Sequence, residues 1–234
     1  LGRTREGVLP TIVSRCQVVP FRHIPAREAA GILSQKVGVT PERARMAIEA
    51  CDGSITQAIS FAKSSERTEF RARVMEVLAG LSVADARDVL EYAAELIERA
   101  KAPLDNVRTE QSEELAESAD FLTKTAMRQI ELRHKRALTQ ATRTSLRQMT
   151  AIIRSWLRDV LIVVSGTPEL MVNIDQRPAV EAAAARVNVE GLMRALREAY
   201  KTDEALSYNV SPETCLDTLL FTIREVLHGS GNTY

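Results

Sequence analysis

Apolar residues recur at helical spacing through most of the chain. Between residues 25 and 63 they form three short groups, which are separated by Gly38 and Gly53 and preceded by polar residues such as Thr40 and Ser54. Glycine commonly ends a helix, and threonine or serine commonly caps the start of one. The pattern therefore predicts three short helices that pack together as a small bundle.

Two stretches of opposite character follow this bundle. Residues 66–101 keep a helical pattern, with an interruption near Gly80, and Pro103 ends it. Residues 104–125 are polar and acidic and contain few apolar anchors. They are either a solvated helix or a linker, and the sequence leaves both alternatives open.

The longest pattern begins near Ala126 and continues to Val160. Its apolar or small residues are spaced by threes and fours, which predicts one long helix with a buried stripe that includes His134 and Trp156. Further helices are predicted after Pro178 and Pro212, because proline suits the first turn of a helix.

One short stretch departs from the helical pattern. The residues VVPF at 18–21 predict a short buried strand, because β-branched and aromatic residues suit a sheet and Pro20 suits a strand end. A strand needs neighbours, and no other strand is predicted. We therefore expect an all-α fold that is preceded by one remnant strand of a domain whose other part is missing, either because the chain is a fragment or because its gene is truncated.

Composition excludes several classes of function. The 234 residues are 45% apolar, and the 31 basic side chains equal the 31 acidic ones, so no bulk charge favours nucleic acid or membranes. The three cysteines, Cys16, Cys51 and Cys215, have no metal-binding spacing, which favours reduced thiols and makes zinc improbable. No segment is apolar enough to cross a bilayer or to act as a signal peptide, so we expect a cytoplasmic protein without membrane partners.

Charge is nevertheless uneven along the chain. Residues 66–125 carry 8 basic and 14 acidic side chains, whereas residues 126–160 carry 8 basic and 2 acidic ones. Four arginines of the long helix fall on one face: Arg143, Arg147, Arg154 and Arg158. They either contact a phosphate backbone or pair with the acidic block at 66–125, and the second interpretation is favoured.

No catalytic motif is present. The sequence contains no G-x-x-x-x-G-K-[ST] phosphate loop, no G-x-G-x-x-G, no H-E-x-x-H and no G-x-S-x-G. The histidines His23, His134 and His228 are isolated, and proton transfer or metal binding needs partners at fixed spacing. Trp156 belongs to the buried stripe and is interpreted as a core residue rather than a base-stacking platform.

A motif near the start of the chain resembles that of a known family. The sequence VLPTIVSRCQVVPF resembles the clamp-loader branch of the AAA+ ATPases, whose ATPase domain ends with a Ser-Arg-Cys motif that follows L-P-T-I, and Ser14, Arg15 and Cys16 match it residue by residue. The sequences RQMTAIIRSWLRDVLIVVSG and NVSPETCLDTLLFTI resemble the collar of delta-prime subunits of bacterial DNA polymerase III.

The resemblance implies a division of the chain. Residues 1–22 would be the C-terminal remnant of an AAA+ domain, residues 23–65 a three-helix lid, and residues 66–234 a helical collar with an acidic insertion at 104–125. The order of elements agrees over essentially the whole chain.

The resemblance also implies a role for Arg15. In such rings the arginine of the Ser-Arg-Cys motif reaches across a subunit boundary to the γ-phosphate of ATP that the neighbouring subunit binds. This chain itself would hold no cofactor. The alternative is that Arg15 caps the local turn or pairs with a nearby carboxylate.

One departure from the family pattern bears on ATP binding. Nucleotide-binding members resemble G-D-x-R at the start of the third lid helix, where this chain has Gly53, Ser54, Ile55 and Thr56. Thr56 thus replaces the arginine that senses the subunit's own nucleotide. This replacement argues against ATP binding in this chain and against the gamma/tau ATPase subunit, which also needs a phosphate loop.

The expected function is therefore a non-catalytic clamp-loader subunit. It would assemble through its collar with gamma/tau and delta subunits into a pentameric ring, as part of the DNA polymerase III holoenzyme. The ring loads the sliding clamp onto primed DNA, so clamp and DNA would be indirect partners. An alternative is a helix-turn-helix repressor formed by residues 25–63 with a ligand-binding remainder, but its recognition helix would offer only Gln57, Ser60 and Lys63 to DNA.

Overall fold

The computed structural model describes residues 9–19, 24–102, 104, 109, 123–206, 208 and 210–228. Helices alone form the regular structure of these residues, and they contain no strand, which confirms the all-α prediction. The α-helices are α1 (Pro10–Val13), α2 (Ala26–Val37), α3 (Pro41–Ala50), α4 (Ile55–Lys63), α5 (Ser65–Gly80), α6 (Ala86–Lys101), α7 (Lys124–Val164), α8 (Arg177–Ala184), α9 (Val189–Ala205) and α10 (Pro212–Leu227). Short 3-10 helices at Pro168–Leu170 and Ile174–Gln176 connect α7 to α8.

The three short helices predicted between residues 25 and 63 are confirmed as α2, α3 and α4. Gly38 ends α2 with a left-handed backbone (φ 73°), which glycine adopts without strain. The side chains of Thr40 and Ser54 cap α3 and α4 by accepting hydrogen bonds from the backbone N–H groups of Arg43 and Gln57. The three helices contact one another and form the predicted bundle.

The predicted strand at residues 18–21 is wrong where the structure describes it. Residues 17–19 have no regular structure, and Val18 and Val19 are 56% and 62% exposed; Pro20 and Phe21 lie outside the described residues. Residues 10–13 before them form the single turn of α1, with Pro10 at its start. The physical reason is that a strand exists only when a second strand shares its hydrogen bonds, and the described residues supply none.

Helices α5 and α6 confirm the pattern read at 66–101, including the interruption near Gly80. Helix α5 ends at Gly80, and Asp85 begins α6 through a capping box in which Asp85 and Asp88 bond each other's backbone N–H groups. Within residues 104–125, only 104, 109 and 123–125 are described. The choice between a solvated helix and a linker there stays a prediction.

Helix α7 is the 41-residue element around which the other helices pack. From Leu146 to Val160 nearly every residue is buried, and Trp156 is fully buried, as predicted for the core stripe. A helix that is buried on all sides is a core helix rather than a surface one. Before Leu146 the same helix is mostly exposed, and His134 on the predicted stripe is only half-buried.

One hydrophobic cluster runs through helices α2 to α10. Helix α7 contacts α3, α5, α6, α8 and α9, while α10 packs on α6 and α9. Helix α1 contributes no buried residue. The bundle of α2–α4 therefore shares a core with the larger helical unit, while the domain boundaries at 22 and 65 stay predictions.

A buried carboxylate fixes the segment that follows α7. Asp159 is fully buried, and its oxygens accept hydrogen bonds from the backbone N–H groups of Val172 (3.1 Å) and Asn173 (2.7 Å) and from Nδ2 of Asn173 (2.8 Å). Oδ1 of Asn173 accepts in turn from the buried Arg71 of α5 at 2.7 Å, and Arg71 also forms a two-pronged pair with Asp175. This network attaches the connection between α7 and α8 to both α5 and α7.

Candidate functional site: the junction between the three-helix bundle and α7

The Ser-Arg-Cys motif lies in an exposed turn directly after α1. The turn is closed locally, because Ser14 Oγ donates to the carbonyl of Thr11 (3.2 Å) and the N–H of Arg15 donates to the carbonyl of Ile12 (3.1 Å). Ser14, Arg15 and Cys16 are all exposed. The Arg15 side chain forms no hydrogen bond or ion pair with the residues that the structure describes, so the carboxylate-pairing alternative finds no support there.

Thr56, which occupies the position of the sensing arginine, lies exposed in the first turn of α4. The turn before it contains two successive left-handed residues, Asp52 (φ 51°) and Gly53 (φ 82°). Aspartate tolerates this conformation better than most residues do. The turn directs the Asp52 carboxylate toward α7, where it meets an arginine.

The arginines of α7 form the junction with the bundle. Nη2 of Arg154 lies 3.1 Å from Asp52 of the α3–α4 turn, and its Nη1 lies 3.4 Å from Asp203 of α9. Arg154 is itself buried, and its guanidinium stacks 5.0 Å from the ring centre of Tyr200. One side chain thus connects the three-helix bundle, α7 and α9.

Two further arginines strengthen this junction. Arg158 pairs with Glu49 at the end of α3 at 2.7 Å, and Arg147 donates to both carboxylate oxygens of Asp203 at 3.2 and 3.3 Å. Asp203 also accepts from the hydroxyl of Thr150 (3.0 Å). These half-buried carboxylates therefore each have a charged partner, which limits the cost of desolvating them.

For Arg147, Arg154 and Arg158 the predicted pairing with carboxylates is confirmed, but the predicted partner, the acidic block at 66–125, is wrong. The acids that pair with Arg147, Arg154 and Arg158 come from α3, the α3–α4 turn and α9, and none lies in the block at 66–125. Helical spacing shows that arginines share a face, but it does not show which helix lies opposite. These three arginines are occupied by carboxylates and are not free to contact phosphates.

Cys51 belongs to the same junction. Its sulfur accepts a hydrogen bond from Nε2 of Gln148 at 3.1 Å, and burial raises the pKa of the Cys51 thiol to about 11. The thiol is therefore neutral at physiological pH and unsuited to nucleophilic attack. No cluster of His, Cys, Asp or Glu in the described part of the chain could hold a metal ion.

A cavity of about 570 Å³ opens beside the junction. Its walls combine polar and small side chains of the bundle, α7 and α9: Ala50, Cys51, Asp52, Ser54, Gln57, Gln140, Thr144, Arg147, Gln148, Ala151 and Asp203. The charged groups among them are of both signs, and Arg147 and Asp203 neutralise each other. The lining thus offers neither a nucleophile with a base nor a cluster of free cations for a nucleotide phosphate.

Sequence reasoning missed an exposed apolar stripe on α9. Val189, Met193 and Tyr200 are exposed, and Leu196 between them is half-buried; their spacing of four, three and four places them on one helical face. The adjoining face of α9 carries a second apolar set that is buried: Leu192, Ala195 and Ala199. The spacing was visible in the sequence, but with two apolar faces it could not show which one faces the core.

Together these features define an all-α domain, whose described polar groups hold its helices together. No described helix is long and apolar enough to span a membrane. Residues 114–224, just under half of the chain, match the family described as DNA polymerase III, delta subunit, C terminal. No curated protein and no solved structure matches the chain.

The family match covers α7 to α10, together with residues that precede α7. It supports a clamp-loader-related family for this part of the chain, similar to a non-catalytic subunit domain of DNA polymerase III that serves DNA replication. It does not separate the delta-prime subunit from the delta subunit.

Replacing Arg154 tests the junction. We expect Arg154→Met to lower the free energy of unfolding by about 1–2 kcal/mol, because Asp52 and the half-buried Asp203 each lose one charged partner. Arg194→Met is the matched control, since Arg194 pairs with Glu225 where both side chains are exposed, and its loss should cost less than about 1 kcal/mol. Urea unfolding measures both values. Equal losses in the two variants would show that Arg154 does not hold the junction.

Proposed function

We propose that this chain is the lid and collar of a delta-prime-type clamp-loader subunit, a non-catalytic member of the ring that loads the sliding clamp onto primed DNA. The observation that carries the proposal is the family match over α7–α10 in a chain that also has the Ser-Arg-Cys sequence at residues 14–16. The proposed division is an AAA+ remnant at 1–22, a lid at 23–65 and a collar at 66–234. The proposed location is the cytoplasm.

The proposed collar contact is the apolar stripe of α9. Its exposed side chains Val189, Met193 and Tyr200 form a continuous face of one well-defined helix, while the other face of that helix is held in the core. Contiguous exposed apolar surface of this kind is typical of protein interfaces. The proposed occupant is the collar of a neighbouring gamma/tau or delta subunit.

Arg15 is the proposed trans-acting arginine finger. Its exposed side chain, which has no partner among the described residues, is available to a neighbouring subunit. A guanidinium that reaches the γ-phosphate of ATP bound next door neutralises the charge that grows in the transition state. ATP would then belong to the neighbour, and the replacement of the sensing arginine by Thr56 supports a chain that binds no nucleotide itself. The same replacement favours delta-prime over gamma/tau.

The structure offers no observation in favour of the repressor alternative. In α4, the helix that would enter the major groove, Ala58, Phe61 and Ala62 are buried. Its exposed side chains include no arginine, and α3 and the α3–α4 turn are tied to α7 by Arg154 and Arg158.

Assembly provides the first test of the proposed function. We expect this chain to form a complex with gamma/tau and delta subunits that is stable in size-exclusion chromatography. Met193→Glu should abolish the complex or weaken it at least about tenfold, because a charge buried without a partner at an interface costs several kcal/mol. Val83→Glu is the control, since Val83 is 80% exposed in the loop between α5 and α6, and it should assemble normally.

Two results would contradict this assignment. Failure of the unsubstituted chain to bind either subunit would overturn the proposed function as a whole. A normal complex with Met193→Glu would leave the ring intact and remove α9 from the contact.

Arg15 is tested in the assembled complex by ATP hydrolysis stimulated by the clamp and primed DNA. We expect Arg15→Ala to lower hydrolysis at the adjoining site at least about tenfold, since arginine fingers contribute about 10³–10⁵ in rate. Arg15→Lys should not restore the rate, because lysine lacks the planar fork of arginine. Assembly should be unchanged in both variants. The exposed Arg87→Ala is the control, and wild-type hydrolysis in an Arg15→Ala complex of full stoichiometry would refute the finger.

A further inference from the structure

The outer half of α7, before Leu146, carries a charge pattern that the junction does not use. Between residues 125 and 145 five side chains are basic, and Glu131 alone is acidic. Arg128, Arg133, Lys135 and Arg136 are exposed, and none of them forms an ion pair or hydrogen bond through its side chain with the described residues. We call these four side chains the cationic face of α7.

Helix geometry places the four cations on one half of the helix circumference, with Arg133 and Lys135 at its two edges. Arg128, Lys135 and Arg136 stand at positions i, i+7 and i+8 of one uninterrupted helix, and Arg133 extends this face because it lies one turn before Arg136. At a rise of about 1.5 Å per residue the face is about 12 Å long. Each strand of a DNA duplex carries a phosphate about every 3.4 Å along the axis, so the face is long enough to contact two or three of them.

The two halves of α7 differ in how their cations are neutralised. In the inner half, Arg147, Arg154 and Arg158 are each paired with a carboxylate of another helix or turn. In the outer half, the neighbouring described helices provide no carboxylate to the four cations. With Glu131 as the one acid between residues 125 and 145, the described part of this exposed rod keeps an excess of positive charge, which counterions or an anionic partner can neutralise.

We propose that the cationic face of α7 binds the phosphate backbone of DNA directly. Charge complementarity supports this assignment, and the similarity of residues 114–224 to a DNA polymerase III subunit domain favours DNA as the anionic partner. The proposed function needs DNA only as an indirect partner through the ring, so a direct contact goes beyond it. It does not depend on the α9 stripe or on Arg15.

The face also indicates which kind of DNA binding to expect. It contains no aromatic side chain on which a base could stack, and its exposed neighbours Gln129 and Gln140 can donate hydrogen bonds to phosphate oxygens. Contacts to phosphates fix position and carry no sequence information. Binding should therefore be independent of sequence and strongly dependent on salt.

Fluorescence anisotropy with labelled duplex DNA tests the proposal on the intact chain. In NaCl titrations from about 50 to 200 mM, the logarithm of the binding constant should fall with a slope of about −3 to −4, as expected for four released counterions. Two duplexes of unrelated sequence should bind alike. The quadruple variant Arg128→Gln, Arg133→Gln, Lys135→Gln and Arg136→Gln should lose at least about tenfold in affinity at low salt, and its slope should shrink by about 3.

A matched control separates this face from net charge. Arg87→Gln, Arg177→Gln, Arg194→Gln and Lys201→Gln together remove the same charge from exposed side chains that already have acidic partners. This control should bind DNA as the unsubstituted chain does. An equal loss in both quadruple variants would overturn the proposal, and so would displacement of DNA by poly-glutamate at an equal concentration of charge, which would identify an acidic protein as the partner.

The DNA-binding experiment can fail without a failure of the assembly experiment that tests the proposed function. Size-exclusion chromatography of the same quadruple variant with gamma/tau and delta reports on ring assembly alone. Loss of DNA binding with normal assembly supports the cationic face. Normal assembly without DNA binding by the unsubstituted chain overturns the face and leaves the proposed function standing.

Discussion

The structure depends on one constraint, which is that the inner half of α7 must be buried on every side although it carries arginines. Trp156 and its apolar neighbours supply the hydrophobic contacts, while the buried Arg154 and the half-buried Arg158 can lie there only where carboxylates of other elements meet them. Those carboxylates come from α3, the α3–α4 turn and α9. Neutralising the arginines therefore fixes where the three-helix bundle and α9 lie relative to α7.

The same constraint explains why the two ends of α7 differ in how far their charged side chains are paired. The inner end is a closed network of ion pairs and hydrogen bonds, which Asp159 and Arg71 extend to the segment before α8. The carboxylates and arginines of this network are already paired with one another. The outer end keeps its cations exposed, and α9 keeps one apolar face exposed. These two exposed surfaces are the ones that the proposals use, and both lie within residues 114–224 of the family match.

Local chemistry made much of the fold predictable. The caps of α3 and α4 follow from Thr40 and Ser54, and the length of α7 follows from its apolar spacing, because both signals lie within one segment of chain. The failures required information from elsewhere. The strand at 18–21 depended on partners that the described residues lack, and the acids opposite Arg154 are distant in sequence. The exposed face of α9 could not be chosen because both faces are apolar, while the role of Arg15 rests on resemblance and stays a prediction.

The central claim is that α7 makes the bundle and the larger helical unit one cooperative structure. Native-state hydrogen exchange across a denaturant series tests it most directly, by comparing amides of α3 with those of α7 between residues 146 and 160. If α7 joins the two units, the most protected amides of both helices should exchange through the same global unfolding, with the same free energy and denaturant dependence. Exchange of α3 at a much lower free energy, with little denaturant dependence while α7 stays protected, would contradict it.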